Sequence, residues 1–216
     1  MRILGLSGSP RSDANSHALL SAFMDYSAAL GTHTKTIRIV EHDIRPCAEY
    51  TACEKTGNCP IPDDLQKHLY AQIRLVDVVV LTSPIFFYNM PAQLKALIDR
   101  CQIFWARKYR LHLTDPNAFH RKGVVLSCGA TNGKQLFEGL LLTTKIFFDA
   151  IDATPAGEVL LRSTETKGSV AQHPTAFQNI RDSFDTVLLP LKNRPRWVFY
   201  HEAYPQKALI AALCTR

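Results

Sequence analysis

A chain of 216 residues, 46% hydrophobic and 20% charged, can bury a full core and falls in the size range of one α/β domain, which excludes disordered and fibrous architectures. The net charge of +6 comes from dispersed Lys and Arg with no basic block, so an anionic small ligand fits better than nucleic acid. No run of roughly 18 apolar residues offers a membrane span, and the apolar stretch after Met1 is too short for the h-region of a secretory signal, so a cytoplasmic protein is expected.

In chain order, Ile3 to Leu6 forms a first apolar run, followed by a helical face of Leu19, Leu20, Phe23, Met24 and Ser27. Ile37 to Val40 is the second run, and a shorter helix is predicted from near Pro62 to near Arg74. Val78 to Leu81 precedes a helix with Leu94, Leu97, Ile98, Cys101, Phe104 and Trp105 on one face. Val124 to Leu126 precedes another with Leu136, Phe137, Leu140, Leu141, Phe147 and Phe148. Val159 to Leu161 precedes a last one with Phe177, Ile180, Phe184, Val187 and Leu188. Each apolar run reads as a strand buried on both faces of a parallel sheet, because β-branched residues dominate it without alternation.

Five strands alternating with five helices predict a doubly wound sheet of order 2-1-3-4-5, whose crossovers are long enough to hold a helix. In that order the chain reverses across the sheet between strands 1 and 3, so a ligand crevice opens at their carboxyl ends. The domain is expected to span residues 1–190. Residues 191–216 form a C-terminal extension, with Trp197 to Tyr200 a doubtful sixth strand. Its apolar residues are expected to pack on the domain or on a second subunit.

Three loops at the predicted carboxyl edge carry chemistry. After strand 1, Ser7, Gly8, Ser9, Pro10 and Arg11 lead through Asn15, Ser16 and His17 into a helix. Unpaired amides, the positive end of the helix and neutral hydroxyl and amide donors there make a phosphate cradle, to which Arg11 adds a charge. The plainer alternative is that one Ser or Asn caps the helix. After strand 3, Pro84, Ile85, Phe86, Phe87, Tyr88 and Asn89 precede Met90 and Pro91. The three aromatics offer flat surfaces to a conjugated ring, with at least one of them expected to be core under the loop. After strand 4, Cys128, Gly129, Ala130 and Thr131 put small residues beside the same crevice, where the glycines serve the turn or a close approach equally well.

These segments, SGSPR with a downstream NS, SPIFFYNMPAQLKALIDR and SCGATNGKQLFEG, resemble those of the flavodoxin-fold NAD(P)H-dependent FMN reductases, which include iron-sulfur flavoproteins. The resemblance runs over roughly residues 1 to 150. It implies a flavodoxin-like α/β fold with helices on both faces of the sheet and an FMN cofactor, with NAD(P)H as co-substrate. Hydride would pass to flavin N5 and on to a quinone or similar small acceptor. It also implies that Ser7, Ser9, Arg11, Asn15, Ser16 and His17 surround the phosphate and that Pro84 to Asn89 and Cys128 to Thr131 border the ring. No protein side chain is singled out as an obligatory acid or base. A homodimer or homotetramer is expected, without nucleic-acid or membrane partners.

Six cysteines are spread along the chain and read as reduced thiols. Three of them, Cys47, Cys53 and Cys59, fall in one loop after strand 2. In the iron-sulfur members this loop resembles C-x-x-C-x-x-C-x5-C, and Tyr50 stands here at the second position. With one thiolate missing, no cluster is expected; zinc on the three cysteines with His42 or His68 is a weaker option. The alternative function is an electron-transfer flavoprotein without enzymatic activity, either flavodoxin-like or with an atypical iron-sulfur site in that loop.

Overall fold

A computed structural model describes residues 1–115 and 120–192. Its strands are β1 (Arg2–Ser7), β2 (His33–Arg38), β3 (Val78–Pro84), β4 (Lys122–Cys128) and β5 (Thr154–Leu161). Its helices are α1 (Asn15–Ala29), α2 (Ala52–Thr56), α3 (Tyr70–Leu75), α4 (Ala92–Arg100), α5 (Gln102–Trp105), α6 (Glu138–Ala150), α7 (Ser169–Gln172) and α8 (Ala176–Lys192). The strands form one parallel sheet of order β2-β1-β3-β4-β5, the arrangement expected from the alternating pattern.

Period-two alternation sends successive strand residues into two separate cores. Leu4, Leu6, Val79, Leu81 and Val125 face a layer containing Tyr70, Leu94, Leu97, Phe104, Leu140 and Phe147. Ile3, Val78, Val80, Val124 and Leu126 face Leu19, Leu20, Phe23, Ile180 and Phe184 on α1 and α8. Burial on both faces holds for β1, β3 and β4 but not for the other two strands. In β2 only Ile37 is buried, and in β5 only Val159 and Leu161, because both are edge strands with a neighbour on one side. The second run also starts earlier than its apolar residues suggest, and Ile39 to Glu41 forms a 3-10 turn rather than strand.

The predicted helix through Trp105 is interrupted at Cys101, after which α5 ends in a wider turn over Ala106–Arg110. Phe177 is exposed rather than part of the buried face of α8. That helix runs to Lys192, past the expected boundary at residue 190. Residues 197–200 and the rest of the tail from 193 onward lie outside the described residues. No helix among the described residues is long and apolar enough to cross a membrane.

Two buried arginines brace the sheet's flank. Arg121 donates to the carbonyls of Arg74, Val76 and Ile151, tying the ends of α3 and α6 together. Arg100 Nη1 and Nη2 donate to the two carboxylate oxygens of Asp63 at 2.6 and 3.2 Å, and Nη1 also reaches the Arg45 carbonyl at 2.8 Å. Neither member of the Arg100–Asp63 pair is exposed, so this fork fixes the β2–α3 segment to α4.

Candidate functional site

Parallel register brings the three loops to one edge. Pro84 stands beside Cys128 and Cys128 beside Leu161, so the ends of β3, β4 and β5 are level, while Ser7 stands beside Thr82 and β1 ends two residues earlier. The chain crosses from β2 on one side of β1 to β3 on the other, and the loops after β1 and β3 part at that switch point.

The first loop closes tightly on β3. Gly8 donates its amide to the Thr82 carbonyl at 2.8 Å. A Cβ there would stand 2.4 Å from Leu94 Cδ2 and 3.0 Å from the Thr82 carbonyl oxygen, so only glycine fits. The Thr82 hydroxyl donates to the Ser16 carbonyl at 3.0 Å, fastening the start of α1 to the same strand. Ala14 occupies the cap position in extended conformation with no side-chain cap bond, and the first turn holds no acidic residue. A Ser or Asn cap is thus ruled out as the reason for this sequence. The amides of the first turn and the helix's positive end are left facing the crevice.

Within that cradle Ser16 is wholly buried, and its hydroxyl has no partner among the described residues. A buried hydroxyl without a partner costs about 1–3 kcal/mol, and this one stands at a helix end whose cap residue makes no side-chain bond. Ser7 Oγ lies 3.3 Å from His17 Nδ1, and Ser9 Oγ accepts the Arg11 amide at 3.2 Å. Asn15 serves otherwise. Its Nδ2 faces the carbonyls of Thr164 and Thr166 at 3.0 and 2.8 Å and Ser169 Oγ at 3.0 Å, and its Oδ1 accepts the Gly168 amide at 3.0 Å. The Asn15 side chain is thereby committed to the β5–α7 loop, leaving only its main-chain amide for the cradle.

That fourth loop is absent from the sequence reading. Thr164 donates both its amide and its hydroxyl to the Gly129 carbonyl, at 3.0 and 3.1 Å, so residues 164–169 link the first loop to the loop after β4. Cys128 is buried there. Burial pushes its thiol up to about 11, against smaller opposing effects of the Thr164 hydroxyl and the Arg11 charge. Ala130 and Thr131 are exposed on the same loop.

After β3, Phe86 and Asn89 exchange main-chain hydrogen bonds at 2.7 and 2.9 Å, closing a two-residue turn. Its central residues, Phe87 and Tyr88, both lie in the left-handed region, at φ 48° and 62°. That is the geometry usually given to Asn and Gly, and bulky side chains hold it under strain. The turn rests on α6: Leu140 donates to the Tyr88 carbonyl at 3.2 Å, and Asn89 Nδ2 to Thr143 Oγ1 at 3.1 Å. Gly139 permits this approach, since a Cβ would come 2.7 Å from the Tyr88 oxygen. Phe86, Phe87 and Tyr88 are 49%, 103% and 57% exposed, so none of the three is core. Ile85 and Met90, half-buried and buried, fill the space beneath instead.

The cysteine loop lies on the other side of β1, after β2. Cys47 is exposed, while Cys53 and Cys59 are half-buried against the first core. Burial, and then the neighbouring Cys59, push the Cys53 thiol up. Tyr50 is exposed. Among the described residues no three His, Cys, Asp or Glu side chains gather in a way that could hold a metal ion. Three thiols fall one short of the four thiolates that a four-iron cluster requires.

Known proteins resemble this chain at the levels of sequence and fold. Residues 1–166 match the family described as NADPH-dependent FMN reductase. An iron-sulfur flavoprotein of Methanosarcina thermophila is 32% identical over 136 residues, 62% of this chain and 67% of that one. Another, of Methanocaldococcus jannaschii, is 35% identical over 100 residues, 46% of this chain and 51% of that one. The chain spans about half the length of most of these curated relatives. Among solved structures, the apo form of an NADH:FMN oxidoreductase superposes with a TM-score of 0.63 at 16% identity, covering 96% of this chain and 98% of that one. An FMN-dependent NADH-azoreductase from Bacillus anthracis in complex with FMN gives 0.62 at 15% identity, covering 85% and 97%. At such identities the structural matches establish the fold.

Proposed function

This chain belongs to the NADPH-dependent FMN reductase family, a group of FMN-dependent oxidoreductases, and from that membership we propose that it takes reducing equivalents from NAD(P)H and delivers them to a quinone or similar small acceptor. The observation that carries the reading is the buried, unpartnered hydroxyl of Ser16 at an uncapped helix end, level with an exposed aromatic turn on the next strand. A phosphate dianion supplies the acceptor that Ser16 lacks. The similar proteins, which include iron-sulfur flavoproteins, an NADH:FMN oxidoreductase and an FMN-dependent azoreductase, support an FMN-dependent redox role.

In this reading the first-turn amides of α1, with Ser7, Ser9, Ser16 and His17, hold the phosphate, and Arg11 adds a charge from the exposed side. Asn15 keeps that cradle in shape through its bonds to residues 164–169. Pro84 to Asn89 and Cys128 to Thr131 border the ring. The main-chain amides of Phe87 and Tyr88 have no partner among the described residues and are donors for its polar edge. Bound flavin supplies the hydride-accepting chemistry; the chain contributes orientation, apolar cover and neutral donors. Cys128, held as a neutral thiol, adds no charge to the site.

The test is a visible absorption spectrum of the purified chain, before and after anaerobic NADPH. A yellow protein bleached by NADPH and recoloured by a quinone supports the reading. A colourless chain that FMN fails to reconstitute overturns it. The alternative, an electron carrier that is flavodoxin-like or holds an atypical iron-sulfur site, draws on the curated relatives, which are iron-sulfur flavoproteins, and the missing fourth thiolate weighs against a cluster. Bound iron together with a flavin that NADPH does not reduce would favour that carrier.

A further inference from the structure

The loop after β2 leaves the body of the protein and rejoins it at one buried point. Arg100 Nη1 donates both to the Arg45 carbonyl and to the Asp63 carboxylate, so a single guanidinium fastens the two ends of residues 45–63. Between those ends the chain reverses sharply. α2 stops at Gly57, in the left-handed region at φ 69°, whose amide donates to the Cys53 carbonyl at 2.9 Å. Thr56 and Asn58 close the turn: the threonine hydroxyl donates to the Asn58 carbonyl at 3.3 Å and accepts the Asn58 amide at 3.2 Å, and Asn58 Nδ2 donates to the Thr56 carbonyl at 3.2 Å. Cys53 stands on one side of this reversal and Cys59 on the other.

Both sulfurs return to the same surface. Cys53 and Cys59 are half-buried and pack against the first core, whereas Cys47 is exposed and has no place in that cluster. The charge of Cys59 bears on the Cys53 sulfur more than that of Cys47 does, so two of the three thiols stand as a pair. A closed turn that holds two thiols together supplies what a sulfur–sulfur bond needs, which is a pair of α-carbons about 4.4–6.8 Å apart. The backbone before the turn is strained, with Glu49 and Thr51 in the left-handed region at φ 53° and 55°. A bond formed across so short and strained a loop stays open to reduction.

We propose that Cys53 and Cys59 form a redox-active dithiol, oxidised to an intramolecular disulfide by low-molecular-weight disulfides and reduced again by thiols. One of the two, as thiolate, attacks a sulfur of the small disulfide; that S–S bond breaks and the first small thiolate leaves with an electron pair. The other then attacks the mixed disulfide, forming the Cys53–Cys59 bond and releasing the second small thiolate. Two electrons pass from the protein sulfurs to the small disulfide, and the two protein thiol protons end on the two small thiols. The reaction makes no use of the proposed flavin site, so it stands or falls apart from that reading.

The test equilibrates the full chain at pH 8 with mixtures of glutathione disulfide and glutathione, followed by alkylation and peptide mass spectrometry without reduction. Two of the six thiols are expected to be lost, with one linkage, Cys53 to Cys59, that dithiothreitol removes. The oxidised chain should unfold at a urea concentration higher by roughly 1 M. Because the fold holds the pair together, the bond should form at a ratio of glutathione disulfide to squared glutathione at least ~10-fold lower in the native chain than in 8 M urea. Cys47→Ser should keep the linkage, and Cys53→Ser and Cys59→Ser should each abolish it. The wild type alone reads the linkage and the ratio, so the outcome does not depend on the folding of any variant. A linkage that engages Cys47 instead, glutathione held on Cys53 or Cys59 with no bond between them, or a pair that oxidises no more readily in the native chain than in urea would each overturn the proposal.

Discussion

Gly8 and Thr82 join the two halves of the crevice: the glycine amide reaches the threonine carbonyl at 2.8 Å, with Leu94 packed where a side chain on residue 8 would go. Gly8→Ala must displace Leu94, which is wholly buried in the first core. The substitution is expected to cost about 1–3 kcal/mol in urea unfolding, as overpacking of a tight core does, and to weaken FMN binding by at least ~10-fold because the cradle moves with it. Fluorescence titration of the apo chain with FMN checks the second part. Unchanged affinity would detach the cradle from β3.

Ser16 offers a test in which stability and binding separate. Ser16→Ala removes a buried hydroxyl that has no partner in the unliganded chain, so apo stability should stay the same or rise by up to about 1 kcal/mol. FMN affinity should fall by ~10-fold, the worth of one hydrogen bond to a charged acceptor. Calorimetry on the apo chain and an FMN titration read the two effects. A destabilised apo chain with unaltered affinity would return Ser16 to a purely structural role.

Asp63 is buried, which alone would raise its pKa, but the Arg100 fork and the amides of Arg45 and Gln66 outweigh that and hold the carboxyl below its ordinary range. Because the folded pKa is depressed, this carboxylate's contribution is complete above pH ~4 and is lost as acid titrates the folded group. Asp63→Asn leaves Arg100 as an uncompensated buried charge and is expected to cost about 3–5 kcal/mol at pH 7. In urea melts across pH the gap between wild type and variant should narrow below pH ~4. A gap that stays constant into acid would mean that packing, not charge, sets the loss.

Cysteine reactivity tests the environment of the loop after β4. The Cys128 thiol is raised to about 11 chiefly by burial, so it remains a thiol at neutral pH, whereas Cys47 is exposed. Iodoacetamide followed by peptide mass spectrometry should label Cys47 at pH 8 and Cys128 only as pH approaches 11. A raised folded pKa also means that stability from this group is complete below the unfolded value near 8.5 and declines as pH rises through 11. Labelling of Cys128 at pH 8 with the fold intact would contradict its burial.

The sheet order and the three loops were legible in the sequence because each depends on short-range chemistry: β-branched runs, helical spacing, and small or proline-rich turns where strands give way to helices. The edge strands are less covered than their apolar runs suggest: β2 buries only Ile37, and in β5 Val159 and Leu161 are buried on one side while Leu160 is only partly covered on the other. The Asn15 clamp was hidden for a different reason. Thr164, Thr166 and Ser169 look like any polar turn, and their role depends on a partner about 150 residues away. The burial of Arg100 and Arg121 was equally silent, because only the tertiary structure supplies the carboxylate and carbonyls that make a buried guanidinium tolerable.

The left-handed aromatic pair was also invisible, since Phe-Tyr carries no signal for that backbone geometry, and this makes its persistence informative. Bulky residues in the left-handed region cost of order 1 kcal/mol or more each, and such strain is kept where function uses it. Replacing the pair by the residues that favour the turn, Phe87→Asn with Tyr88→Gly, preserves the exchange of bonds between Phe86 and Asn89 and the Tyr88 carbonyl's bond to Leu140. Relief of strain, offset by the glycine's freedom in the unfolded chain, should raise stability by about 1 kcal/mol in urea melts. Loss of both rings should slow NADPH oxidation by ~10-fold or more if they cover the flavin site, a trade between stability and activity. A variant that is both more stable and fully active would show that the rings serve neither the site nor its strain.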